Sequence, residues 1–145
     1  MDRGTDISGL GSNGGGSAPE ENWSWDKPYS HIRTCNILLE KAEAYDGSQS
    51  DIAQSVGTAY FFRAWQHFYL LQHFGGVPIS DHVLTVSDGV LQAPRNSRYE
   101  VAAFIMSDLR EAVKHLPKET EIPEGSKGKV SKEAAKSFLA RVLLY

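Results

Sequence analysis

The sequence predicts an all-α fold of helical hairpins, and three observations carry that reading. Residues 50–74 form one long stretch crowded with apolar side chains at helical spacing. Gly75, Gly76 and Pro78 then stop it sharply, because glycine tolerates positive φ and proline prevents the helix resuming. Two further amphipathic stretches each begin at a serine placed to cap a helix, Ser97 and Ser131. Consecutive helices joined by short turns pack antiparallel as hairpins.

Taken in order, residues 1–22 are rich in Gly, Ser, Asn and Asp, with Ile7, Leu10 and Ala18 as the apolar exceptions, and read as a loop. Gly9 to Gly14 fits the spacing G-x-G-x-x-G, but no strand precedes it and Gly15 to Pro19 cannot open a helix, so it is not a nucleotide site. The first helix is expected near 26–44, with Asp26 able to cap it, Pro28 tolerated in its first turn, and Ile32, Cys35, Leu39 and Ala42 as its apolar stripe. Asp46 and Gly47 mark a turn, and Ser48 with Asp51 supplies cap groups for the central helix over 50–74. That helix is apolar most of the way round, so it is expected to be buried, with Trp65 and Phe68 in the core. Its polar remainder is a narrow stripe of Arg63, Gln66, His67 and His73.

Residues 77–93 form a long connection with room for short extended pieces at 77–79 and 82–86. Ser97 and Glu100 make a capping box for a helix over 97–116, whose face of Val101, Phe104, Ile105, Leu109, Ala112 and Leu116 ends at Pro117. Residues 118–129 are charged and read as a solvated loop. A last helix over 131–145 carries Ala134, Ala135, Phe138, Leu139, Val142, Leu143 and Leu144, with no residue signalling its end.

Four segments in order resemble the SusD/RagB family, outer-membrane glycan-binding lipoproteins of Bacteroidetes-type bacteria. They are W-D-K-P-Y-S-H-I-R-T-C-N-I-L-L-E at 25–40, F-F-R-A-W-Q-H-F-Y-L-L-Q-H-F-G-G-V-P-I at 61–79, the stretch 94–117 with its R-x-S-x-x-E-V start and L-P end, and 128–145 with its S-K-x-A-A-K core. The resemblance implies a tetratricopeptide-like solenoid of helical hairpins, here incomplete. Residues 1–22 would be a flexible loop and 23–145 a SusD-like helical domain truncated at both ends. Family members are several times longer, carry a signal peptide and are lipidated on an early cysteine. Met1 is followed by Asp2, Arg3 and Gly4, so the chain is expected to start inside the family's sequence, as an N-terminal-half fragment.

Composition narrows the function classes. The 145 residues suffice for one domain, and 41% hydrophobic content allows a real core. A formal charge of −3 argues against nucleic-acid binding by phosphate neutralisation. The single Cys35 rules out an internal disulfide and a cysteine-rich zinc site, and its place on the first helical stripe reads as a buried, inert thiol. No apolar run reaches the roughly 18 residues a membrane-spanning helix needs.

The sequence holds no H-E-x-x-H, G-x-S-x-G or Walker A motif. His67 and His73 face apart on their helix, and Asp108 with Glu111 reads as a solvated face, so no acid/base pair, metal site or cofactor is implied. Arg63, in an aromatic helix, is expected to pair with an inter-helix carbonyl or carboxylate. Sugar binding needs aromatic faces beside hydroxyl-bonding groups. The candidates are Trp23 and Asn22, with Trp25, Asp2 and Arg3 nearby. Trp23 is the stacking candidate, and Trp25, four residues before Tyr29, has the spacing of a packing residue.

The resemblance implies a non-catalytic protein that binds oligosaccharide from starch-like polysaccharide. It would deliver the sugar to a SusC-like TonB-dependent transporter, as a surface-exposed lipoprotein of the outer membrane attached through its lipidated N-terminus. The alternative is a helical-repeat adaptor for a peptide or protein partner, with a concave groove lined by the polar stripe of the central helix.

Overall fold

The computed structural model describes residues 23–84 and 94–145, apart from the Trp23 side chain. Among the described residues four helices follow one another: α1 (Trp23–Glu43), α2 (Gln49–Phe74), α3 (Arg98–His115) and α4 (Lys132–Leu143). Single 3-10 turns at Glu119–Glu121 and Glu124–Ser126 lie between α3 and α4. Among the described residues there is no strand, and residues 77–79 and 82–84 run as irregular backbone; the remainder of the second expected extended piece, through residue 86, lies outside the described residues.

Local chemistry accounts for three of the helix ends. Ser97 accepts a hydrogen bond from the Glu100 N–H while the Glu100 carboxylate accepts from the Ser97 N–H, the reciprocal box its spacing predicts. Ser131 caps α4 by accepting from the Ala134 N–H. Ser48 precedes α2, but its hydroxyl engages Ser50 instead of a backbone N–H. Asp26 does not cap α1, which begins at Trp23 and so places Asp26 within its first turn and Pro28 inside the helix. Gly75 adopts φ 72° at the end of α2, where its N–H donates to the Leu71 carbonyl. Gly76 has no positive φ; it is required because the Asn96 carbonyl approaches so closely that any Cβ would run into it.

The helices pack in sequence order, α1 on α2, α2 on α3 and α3 on α4. The pairs between α2 and α3 show the antiparallel register directly: Tyr60 stacks on His115, Arg63 binds Asp108, and His67 meets Phe104 edge-on. Gly57 continues that register, and a Cβ there would come within 2.8 Å of Leu116 Cγ. Trp25 near the start of α1 contacts Phe74 at the end of α2, so the first pair is antiparallel as well. The core collects Ile32, Phe61, Ala64, Phe68, Leu70 and Leu71 against Val101, Ile105, Leu109 and Leu116, with α4 closing over it through Ala135, Phe138 and Val142. Ile122 of the charged connection is also buried.

The central helix is turned differently from its apolar count. Arg63 and His67, two members of the polar stripe, are among its most buried residues, whereas Phe62 and Trp65 are 44% and 45% exposed. Inward-facing polar groups displace apolar ones to the outer side, where Trp65 packs on Phe138 through part of its ring surface only. This burial also removes the groove that a peptide-binding adaptor would line with Arg63 and His67. Among the described residues no helix is long and apolar enough to cross a membrane.

Phe68 and Trp65 therefore separate on truncation. Phe68→Ala should cost about 3–5 kcal/mol, the range for deleting a buried aromatic, and Trp65→Ala about 1–2 kcal/mol, because much of that ring already meets water. Urea denaturation midpoints of the two variants would check this order, and equal losses would contradict it.

Candidate functional site

A buried polar network ties the segment after α2 to three helices. The Arg63 guanidinium binds both carboxylate oxygens of Asp108, through Nε at 2.8 Å and Nη2 at 2.7 Å. Its Nη1 donates to the Asn36 side-chain oxygen and to the Asp81 carbonyl, each at 2.9 Å. Asn36 in turn donates from Nδ2 to the Ser80 and His82 carbonyls and to the Ser80 hydroxyl. The guanidinium carbon also lies 5.3 Å from the centre of the Tyr60 ring and 5.1 Å from that of Phe104. Among the described residues no buried side-chain polar atom lacks a partner.

His67 completes the network, and its bonds fix its tautomer. Nε2 accepts from the Ser80 N–H, so the proton sits on Nδ1 and is donated to the Arg63 carbonyl at 2.9 Å. Burial drives its pKa down to about 4, with the nearby Arg63 charge acting the same way and its bond to the Arg63 carbonyl opposing. Burial works against the Arg63 charge, but the bond and charge of Asp108 outweigh it and raise the guanidinium's pKa. Burial likewise pushes the Asp108 carboxyl up, opposed by the bond to Arg63. These groups are saturated by one another. They hold backbone in place and are not disposed to move protons to a substrate. Asp108 thus belongs to the core and not, as its spacing with Glu111 predicts, to a solvated face.

The anchored segment forms one wall of a groove of about 660 Å³ against the first turns of α1. Trp25 and Tyr29 supply its aromatic surface, their ring centres 5.2 Å apart. Tyr29 donates its hydroxyl to the Pro78 carbonyl at 2.7 Å, and burial pushes its pKa up to about 12. Arg33, Ser30, His82 and Arg95 add polar groups. Asn96 positions the far rim, since its N–H donates to the Val77 carbonyl and its side-chain oxygen accepts from the Ile79 N–H. Arg95, the adjacent residue, lies with its guanidinium carbon 5.5 Å from the centre of the Trp25 ring.

Of the sequence-predicted ligand residues, Trp25 is the one whose side chain is described. It is half-buried, packs on Tyr29 and Phe74, and lines the groove. Trp23 opens α1, while its side chain and all of Asn22, Asp2 and Arg3 lie outside the described residues. Sequence reasoning missed Arg33 and Arg95; Arg33 shares the α1 face four residues beyond Tyr29, and that spacing was the available signal. Cys35 is half-buried, and burial raises its thiol to about 11, which leaves it protonated and unreactive. Among the described residues no group of side chains could hold a metal ion.

Residues 17–144 match the SusD-like family described as starch-binding and associating with the outer membrane. The chain is 37% identical over 100 residues to a SusD-like protein of Formosa agariphila, an alignment covering 66% of this chain and 18% of that protein. It is similar to a solved SusD-like protein of Bacteroides fragilis, with TM-score 0.79 and 32% identity over 88% of this chain and 24% of that one. A laminarin-binding SusD-like protein gives TM-score 0.76 and 28% identity over 86% of this chain and 26% of that one. The chain thus spans about a quarter or less of the length of each of these relatives.

Two outcomes test the network. Asp108→Ala should cost about 3–5 kcal/mol, because it strands a buried guanidinium, whereas the double variant Arg63→Met with Asp108→Leu should recover much of that loss. Denaturation midpoints of the single and double variants compare them. His67 has a folded pKa below its unfolded value near 6.5, so the unfolded chain binds more protons between these values. Its contribution is complete above about pH 6.5 and is lost as pH falls toward 4, about 3 kcal/mol in all. Stability measured against pH should fall over this window, and His67→Gln should remove that part of the slope.

Proposed function

The chain belongs to the SusD-like family, and from that premise we propose that it forms the N-terminal helical part of a non-catalytic protein that captures oligosaccharide at the outer membrane. Solved relatives include a SusD-like carbohydrate-binding protein of Bacteroides fragilis and a laminarin-binding SusD-like protein. The observation that carries the reading is the match over residues 17–144 to a family described as starch-binding. In this proposal residues 23–145 are a helical unit of a longer surface lipoprotein, and residues 1–22, outside the described residues, contribute to the sugar platform. The captured sugar passes to a SusC-like TonB-dependent transporter.

The local chemistry supports a binding role. The buried ionisable groups Arg63, Asp108 and His67 are committed to one another and to backbone, which stiffens the scaffold under the groove. Rigid support lowers the ordering cost of a ligand site, and that cost otherwise reduces affinity.

Affinity gels and glycan arrays with the full-length protein test the function; failure to retain any polysaccharide would overturn it. Within the site, Trp23→Ala should weaken glycan binding with little change in melting temperature. Trp25→Ala should lower the melting temperature, because it removes packing against Tyr29 and Phe74. If Trp23→Ala destabilises the fold and leaves binding intact, Trp23 is a packing residue and the platform lies elsewhere.

A further inference from the structure

Among the described residues, the groove between the start of α1 and residues 78–84 is lined by two arginines and one carboxylate. Arg33 and Arg95 both line it. Neither forms an ion pair among the described residues. Each guanidinium makes one long hydrogen bond to a carbonyl, Arg33 to Leu84 at 3.3 Å and Arg95 to Phe74 at 3.4 Å. A guanidinium has five N–H donors, so each retains most of its capacity. Asp26, the one carboxylate among the described lining residues, is already engaged.

The aromatic component is on the same wall. Trp25 and Tyr29 line the groove with two aromatic rings tilted by 49°, and Arg95 lies over the Trp25 indole. Stacking holds a guanidinium in place while its in-plane donors stay available for the oxygens of an anion. Both arginines are exposed, so neither has its charge consumed by burial in the fold.

We infer that this groove binds an acidic oligosaccharide, with a sugar ring against Trp25 and Tyr29 and its carboxylate or sulfate ester held by Arg33 and Arg95. The inference rests on the glycan-binding reading above and adds a charge requirement to it. Carboxylate and sulfate offer the arginines the same chemistry, so the experiment must separate them.

The test is isothermal titration calorimetry of the full-length protein with oligogalacturonate, a sulfated galactan oligosaccharide, malto-oligosaccharide and laminari-oligosaccharide. The expected result is tighter binding of one or both acidic ligands than of the neutral ones, and which of the two binds identifies the anion. Acidic binding should weaken as salt is raised, since exposed charges are screened. Arg33→Gln and Arg95→Gln should each reduce acidic affinity about tenfold, the effect of losing one charge-assisted hydrogen bond. Neutral-ligand affinity should fall by a clearly smaller factor, and for Arg33→Gln the melting temperature should be unchanged. Neutral binding that equals or exceeds acidic binding would overturn the inference and leave the family reading intact. Acidic binding that survives both substitutions would place the anion site elsewhere and also overturn it. Binding of no glycan at all would remove both readings.

Discussion

The ion pair between Arg63 and Asp108 is the constraint on which the rest of this structure depends. A guanidinium in the middle of an aromatic helix cannot be left unpaired, and four bonds satisfy it: two to Asp108, one to Asn36 and one to the Asp81 carbonyl. Each of those partners belongs to a different part of the chain. Asp108 fixes α3 against α2, Asn36 fixes α1, and the Asp81 carbonyl fixes the segment beyond the glycine stop. A well-packed apolar cluster could hold three helices together with similar stability. It would not define how far each helix slides along its neighbour. Directional bonds set that register, and the residues from Tyr60 to His67 then meet α3 in antiparallel order.

The pair also explains why the outside of α2 is aromatic. A helix has one circumference, and Arg63 and His67 occupy the inward arc that the apolar count alone would assign to Phe62 and Trp65. The helix nonetheless stays buried along most of its length because α3 and α4 cover Phe61, Ala64, Phe68 and Leu71. The result is a core with a polar centre: Arg63 is answered from other elements, and His67 joins its own helix, through the Arg63 carbonyl, to the Ser80 N–H.

Much of this was legible in the sequence. The helices, the capping box at Ser97, the stop at Gly75 and the structural role of Arg63 follow from local rules and from the cost of burying charge. Asp108 was not legible, because spacing on one helix does not reveal a partner 45 residues away. The same limit hid the inward turn of His67, whose acceptor role depends on the Ser80 N–H. Gly76 looks like part of a helix stop and is instead a point of backbone contact with Asn96. The groove was partly visible: Trp25 was singled out, but its neighbours Arg33 and Arg95 gather only when α1 and the segments on both sides of the long connection are folded together.

The clamp that holds residues 78–82 grips mostly main chain. Tyr29 binds the Pro78 carbonyl, His67 the Ser80 N–H, Arg63 the Asp81 carbonyl, and Asn36 the Ser80 and His82 carbonyls. Backbone groups are the same whatever residue carries them. The exposed side chains at positions 81 and 82 can therefore be exchanged without releasing the segment, so long as the small buried Ser80 and the core-packed Ile79 are kept. An anchor of this kind separates heritable variation in one wall of the groove from the integrity of the fold. It makes this strip a natural place to diversify when ligand preference is to be altered by directed evolution.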